Sequence, residues 1–396
     1  MLAASKAVTF APVQDLMSYH DSLDILNGTA PLSEKLRAVH DVLRERHDGI
    51  DRIAAAIYDP KTDLVKTFLY SSIEPSPLGH YQAKLGEAES LREIVEQRRP
   101  RVVNDLRIFD SGDHEHTKKI ASAGYASSYT MPMFVHGALF GFLFFNSYNS
   151  NTFLDGVLQD LDLFGHLIAL AINNDLSALQ TLLATVKTAR DMARQRDTET
   201  GAHLDRMARY ARLIARKLAA RGKYALSDEF IEHVFVLAPL HDIGKIGIPD
   251  NVLLKPAKLS PEELALMREH PIKGRQLIDN MVNNFELSEV EHVDVLRNIA
   301  EFHHEAVDGS GYPYGLQGDD IPIEARIVAV ADVFDALTSR RPYKHAWSND
   351  EAYIALRRLG GVKLDRDCVD ALIGSVEEVR EIQQRFRDEN LADALL

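Results

Sequence analysis

Apolar positions change their period along the chain, and three textures follow. From about residue 20 to 155 the pattern mixes helix and strand. Leu36, Val39 and Leu43 stand at helical spacing within "EKLRAVHDVLRERH", which predicts a helix over residues 34–47. "IAAAIYDP" and "LVKTFLYSS" read as strands separated by an Asp59-Pro60 turn. "SYTMPMFV" and "ALFGFLFFNS" predict a hairpin closing at His136-Gly137.

From about 155 to 196 there is neither proline nor strand signal, and the glycines, Gly156 and Gly165, lie near the start. Leu176, Leu179, Leu183 and Val186 follow a 3-4-3 spacing. That spacing suits a coiled-coil seam, or a helix packed on a neighbouring domain. The expectation is a helical connector serving as a dimer stalk, through which a helix shift could pass a signal.

From about 188 onward the pattern is nearly all helix. "EFIEHVFVLAPLHDIGK" is an apolar helix that ends in polar residues. "LSPEELALMREHP" carries a helix start at Ser260, with Pro261 first and Glu263 as capping-box partner. Pro271 is expected to stop that helix just after His270. "EARIVAVADVFDALTSRRPYK" predicts a further helix.

Composition narrows the class. A chain of 396 residues, 45% hydrophobic and 26% charged, is long enough for two or three soluble globular domains. A net charge of −14 argues against nucleic acid and anionic membranes as partners. An anionic ligand then needs a local cluster of cations or metals. The lone Cys368 precludes an internal disulfide and suits a reducing compartment. The start lacks a signal-peptide run, and "MPMFVHGALFGFLFFNS" is too short to span a bilayer. A cytoplasmic protein without membrane insertion is expected.

Many of the 16 histidines cluster between His203 and His304, beside acidic residues. Glu199 and His203 share a helical face in "DTETGAHLDRM". His241 and Asp242 sit where an apolar helix ends, with Lys245 on the next turn. Neighbours on a helix diverge by roughly 100°, so both serve one centre only around a cluster or where helical geometry breaks. A carboxylate bridging two metals meets that demand. His270 stands at a helix terminus, His303 and His304 open "FHHEAVDGSGYPYGL", and Asp332 lies among Val328, Val330, Val333, Phe334 and Leu337. A carboxylate in apolar surroundings needs a partner, and a cation is the economical one.

Together "HDIGKIGIPD", "HHEAVDGSGYP" and "ADVFDALTSRRPYK" resemble the HD-GYP domain, a branch of the HD superfamily of metal-dependent phosphohydrolases that hydrolyses cyclic di-GMP. "RVVNDLRIFD" and "GYASSYTMPMFVHGALFGFLFFNSYNSNTF" resemble a GAF sensor domain. The implied protein is multidomain. An N-terminal extension (1–19) precedes an α+β GAF-like domain with an antiparallel sheet (20–155). A helical linker (156–187) then leads to an all-α HD-type bundle (188–396).

The resemblance assigns Glu199, His203, His241, Asp242, His270, His303, His304 and Asp332 as ligands of two or three divalent ions, with Asp242 bridging and Glu199 giving capacity for a third. Imidazole and carboxylate without thiolate suit iron or manganese, and do not exclude zinc, cobalt or nickel. Lys245, Arg341 and Lys344 match positions that contact substrate phosphates, and the turn containing Tyr312 would shape a pocket wall. Tyr314 departs from a basic residue common in the family, and "KLDRD" replaces a more usual Phe-Asp-Pro.

The implied reaction is in-line attack of metal-bridging hydroxide on cyclic di-GMP, giving linear pGpG and, after a second cut, GMP. The GAF-like region would regulate it in response to an unknown small ligand, in a homodimer joined through the linker. The alternatives are a receptor that binds cyclic di-GMP without cutting it, and an HD hydrolase acting on another cyclic dinucleotide.

Overall fold

A computed structural model describes residues 21–74, 78, 80–109, 120–193, 201–284, 293–339 and 345–387. The expected extension 1–19 and the site candidates Glu199, Arg341 and Lys344 lie outside the described residues.

The N-terminal part is α+β. Helix α1 (Leu32–Arg46) buries Leu36, Val39 and Leu43, the apolar stripe that predicts it. Strands β1 (Arg52–Asp59), β2 (Leu64–Ser72) and β3 (Gln82–Lys84) precede α2 (Glu89–Gln97) and β4 (Arg101–Val103). Strands β5 (Ser127–Val135) and β6 (Ala138–Ser147) complete an antiparallel sheet in the order β3-β2-β1-β6-β5-β4. His136 (φ 49°) and Gly137 (φ 83°) close the β5–β6 hairpin, with Val135 paired to Ala138. Left-handed backbone at both central residues matches the twist of a two-residue hairpin.

Helix α3 (Asp155–Ala193) continues from this sheet. Its Leu161, Phe164, Ile168 and Ile172 enter the same core as α1. Leu176, the first residue of the proposed seam, is buried there too, so it packs on the sheet domain. The side chains of Leu179, Leu183 and Val186 lie outside the described residues.

The C-terminal part is all helix around one core. Helix α4 (Gly201–Ala220) runs through it, contacting α5 (Asp228–Leu237), α10 (Ile323–Thr338) and α12 (Arg366–Ile373). Between them come α6 (Asp250–Leu253), α7 (Pro261–Met267), α8 (His270–Asn284), α9 (Val293–Phe302) and α11 (Asn349–Leu359), and α13 (Val376–Arg385) ends the described bundle. Ser260 and Glu263 form the expected capping box on α7. Pro271, however, does not stop that helix. Helix α7 closes at Met267, and Pro271 lies in the first turn of α8. There its missing N–H has no intrahelical partner to lose.

The two parts meet through buried charge. Lys66 of β2 pairs with Glu232 of α5 at 2.7 Å, and Arg212 of α4 reaches the other oxygen of Glu232 at 2.5 Å. Arg209 approaches Asp59 at 3.3 Å, and His80 Nδ1 lies 2.7 Å from Asp228 at the start of α5.

The Asp228 hydrogen bond raises the pKa of His80 against the opposing effect of partial burial. A raised folded-state pKa gives stability that is full below the unfolded value of about 6.5 and is lost as pH rises through the folded value. The thermal stability difference between the parent and His80→Ala should therefore be larger at pH 6 than at pH 8.5. After solvent screening it stays below about 1 kcal/mol. An equal difference at both pH values would remove His80 from the interface balance.

Candidate metal centre

The His241-Asp242 doublet sits where helical geometry breaks. Helix α5 ends at Leu237, a 3₁₀ turn spans Ala238–Leu240, and a second spans Ile243–Gly247. Between them, the two neighbouring side chains serve two adjoining groups. The second turn packs hard against the start of α8: a Cβ on Gly244 would lie 1.8 Å from the carbonyl oxygen of His270. Only glycine permits that approach, and it brings His270 to Asp242.

Two sets of donors converge. Asp242, His270, His303 and His304 form one, and His203, His241 and Asp332 form the other, with ligand atoms in each set within 4.8 Å of one another. Asp242 Oδ1 lies 3.0 Å from His270 Nε2 and 3.6 Å from His303 Nε2, while Oδ2 lies 3.3 Å from His241 Nε2. One carboxylate thus faces both sets. In the second set, Asp332 Oδ1 is 3.9 Å from both His203 Nε2 and His241 Nε2. The His241 and His303 ring centroids are 5.1 Å apart, so the sets adjoin.

The far side of each ring fixes its tautomer. His241 Nδ1 lies 3.1 Å from the Ala238 carbonyl, His270 Nδ1 lies 2.9 Å from that of Met267, and His303 Nδ1 lies 2.9 Å from that of Ile299. A carbonyl only accepts, so each Nδ1 carries the hydrogen and each Nε2 presents a lone pair. His270 Nε2 and His303 Nε2 stand 3.4 Å apart with Asp242 Oδ1 beside them. Burial, aided by repulsion from His241 and His270, pushes the His303 pKa down and keeps the ring neutral. Burial next to His303 does the same to His304. Three acceptors facing one point repel unless a cation lies among them. The donor set therefore fits divalent metal ions.

Asp242 is ionised. Burial alone would raise its pKa, but Lys245, His241 and His270 overcome this and hold it well below the usual carboxylate range. Lys245 Nζ stands 2.5 Å from Asp242 Oδ2 and keeps part of its side chain exposed.

Asp332 corrects one expectation. Its side chain is 23% exposed, at the edge of the cluster, whereas the fully buried carboxylate is Asp335, one turn later on α10. Asp335 accepts from Arg206 Nε at 2.7 Å and Nη2 at 3.0 Å, and its Oδ2 lies 2.7 Å from His203 Nδ1. Burial opposes its charge, yet His203 and Arg206 keep its pKa below the ordinary value. Asp335 thus does for His203 what backbone carbonyls do for the other three rings. The repeat of aspartate three residues on, in "ADVFDALT", was the available signal.

The polar run after the paired histidines folds back on itself. Glu305 accepts from the backbone N–H groups of Tyr314 (2.7 Å), Gly315 (3.2 Å) and Leu316 (3.0 Å). A Cβ on Gly311 would meet the backbone of Ala306 at 2.2 Å, so this turn lies flat on its own stem. It stacks Tyr312 on His304 at 4.7 Å between centroids, with Arg268 5.3 Å from the Tyr312 ring centre. Tyr314 donates to Glu301, which also takes Arg275.

Residues 179–368 match the model of an HD domain, and residues 32–172 match that of a GAF domain. The chain pairs a GAF domain with an HD domain. Similar curated proteins include a "Probable cyclic di-GMP phosphodiesterase" of Vibrio cholerae serotype O1, 43% identical over 53% of this chain and 48% of the relative. The "Cyclic di-GMP phosphodiesterase response regulator RpfG" of Xanthomonas campestris pv. campestris is 44% identical over 53% of this chain and 55% of its own length. A "3'3'-cGAMP-specific phosphodiesterase 2" of Vibrio cholerae is 38% identical over 49% of this chain and 34% of its own. The chain thus spans about half or less of the length of these relatives.

Asp335→Asn removes the charge that orients His203 while keeping the side-chain shape. Manganese affinity, read by titration of metal-stripped protein, should fall about 10–100-fold, the usual effect of losing such a partner. Unchanged affinity would leave Asp335 a purely structural residue.

Proposed function

We propose that the HD domain hydrolyses cyclic di-GMP to linear pGpG, with GMP as the product of a second cut. The convergence of His270, His303 and Asp242 as acceptors on one point carries this reading. Divalent ions held there supply activation of water and neutralisation of the phosphodiester's charge. Of the chain's own residues, Asp242 holds the two donor sets in one unit. Lys245, paired with Asp242 and partly exposed, is assigned as a point charge for a phosphate oxygen. Arg341 and Lys344, outside the described residues, are assigned the second phosphate, and Tyr312 one wall for the substrate.

Iron or manganese is the proposed metal, with Glu199 as the added ligand of a third ion. The GAF domain is proposed to regulate turnover in response to a small ligand. A homodimer through α3 is supported by Leu163 and Leu170, seven residues apart and 58% and 65% exposed. A cytoplasmic setting agrees with the nucleotide substrate and the single cysteine. Among the described residues no helix is long and apolar enough to cross a membrane.

A second reading, hydrolysis of 3'3'-cGAMP, is favoured by the similarity to a relative named for that substrate. Assaying both cyclic dinucleotides with anaerobically purified, metal-loaded protein separates the two. The expected result is faster loss of cyclic di-GMP, and a preference for 3'3'-cGAMP would transfer the assignment.

Asp242→Ala should lose metal and turnover together. The fall in turnover should exceed the 10–100-fold typical of losing a mere orienting partner, being more than about 100-fold. Arg341→Ala should chiefly raise KM, by about tenfold or more, the worth of a charge-assisted contact. Metal content and steady-state rates check both, and full turnover in Asp242→Ala would defeat the bridging assignment.

A further inference from the structure

Where the GAF sheet edge meets the HD domain there is a cavity of about 170 Å³, away from the metal ligands. Arg209, Arg212 and Arg216 line it from one face of α4, Lys66 and Lys84 from β2 and β3, and Arg385 from the end of α13. Only Asp59, Glu378 and Glu381 oppose them in the lining, an excess of positive charge in a chain whose net charge is −14.

The internal pairs absorb part of that excess, Lys84 meeting Glu87 at 3.2 Å and Glu381 at 4.0 Å, but they leave Arg216 and Arg385 without a close carboxylate among the described residues. Lys66 and Arg212 share Glu232, and Arg209 reaches Asp59 at 3.3 Å and Asp205 at 3.1 Å. Arg216 has one ion pair among the described residues, a long 3.9 Å approach to Glu378, whose same oxygen already takes Lys217 at 2.6 Å. Arg385 reaches a carbonyl, that of Thr62 at 3.2 Å, and no carboxylate among the described residues. The Nε of Arg209, a side chain 7% exposed, is buried without a hydrogen-bond partner among the described residues. Burial and the neighbouring Arg212 lower the pKa of Arg216, as expected of a cation short of counter-charge.

Apart from Thr62 and Gln82, the uncharged part of the lining is apolar and includes two aromatic rings. Phe235 and Phe386 face the cavity, with the Arg209 guanidinium 3.9 Å from the Phe386 ring centre and the Lys66 ammonium 4.4 Å from that of Phe235. A simple inorganic anion would take the cations but make no apolar contact with this part of the lining. An anion on a planar body would cover the rings and take a guanidinium fork at the same time.

The cavity also touches the support of the metal centre. The backbone oxygen of Phe386 accepts from Arg206 Nη1 at 2.9 Å, Arg206 holds Asp335, and Asp335 orients His203. We propose that this cavity binds a small organic anion, a phosphate monoester or carboxylate on a flat apolar body, and that its occupancy alters metal affinity through Phe386, Arg206 and Asp335. The binding half stands apart from the reading of the metal centre, and the coupling half rests on it.

Calorimetric titration of the full, metal-stripped chain with phenyl phosphate, benzoate and inorganic phosphate tests the binding. Phenyl phosphate or benzoate should bind at one site, and the stronger of them identifies the head group. Arg216→Gln and the exposed-rim variant Arg385→Gln should each weaken it about tenfold or more, while Asp242→Ala should bind as the parent does. No binding of either organic anion, binding as tight as the parent's in both arginine variants, or inorganic phosphate binding as tightly as the organic anion would overturn the site. For the coupling, saturating organic anion should change manganese affinity at least about fivefold in the parent and not in Arg216→Gln. Manganese that binds with unchanged affinity overturns the coupling alone, whereas manganese that fails to bind at all overturns the metal-centre reading with it.

Discussion

Each of four imidazoles at the centre has one nitrogen committed to an acceptor behind it, and this commitment sets the chemistry of the other. Carbonyls of Ala238, Met267 and Ile299 and the carboxylate of Asp335 take the Nδ1 hydrogens of His241, His270, His303 and His203. The Nε2 lone pairs are then turned toward one another and toward Asp242 and Asp332. A bundle that buries such an arrangement has placed several acceptors in a medium of low dielectric, where they repel strongly. Divalent ions relieve the repulsion, so the helices and the ions are expected to stabilise one another. The unusual local features follow from the same demand. The 3₁₀ turns on either side of the doublet, the bare Cα of Gly244 and the proline at the start of α8 all bring a donor inward at an angle that continuous helix would not give.

Much of this was legible in the residues, for reasons that differ by element. The α1 stripe, the β5–β6 hairpin and the Ser260–Glu263 capping box are local, and local patterns fix them. The histidines declared themselves by type and clustering. What could not be read depended on contacts distant in sequence. Asp332 and Asp335 look alike on the apolar run of α10, and Arg206 and His203, more than a hundred residues earlier, decide which of them is buried. By sequence Pro271 reads as an end, because a proline cannot continue a helix, but the same property suits it to begin one. Leu176 fits a seam by spacing, yet the sheet beneath it offers a nearer apolar surface.

The junction between the domains follows a different logic from either core. Lys66 and Glu232 are both nearly inaccessible, and such a pair gains little over an apolar contact while costing much if one partner is lost. That makes it poor glue and good registration. It fixes how the edge of the sheet meets α4 and α5, the helices that lead to His203 and His241.

Glu305 follows the paired histidines directly, and its carboxylate gathers three amides from the loop that stacks Tyr312 on His304. His303, His304 and the Tyr312 ring therefore hang from one short peptide segment and travel as a single piece. Any tilt of α9 that displaces His303 and His304 carries Tyr312 along, so the spacing between these imidazoles and that ring is conserved.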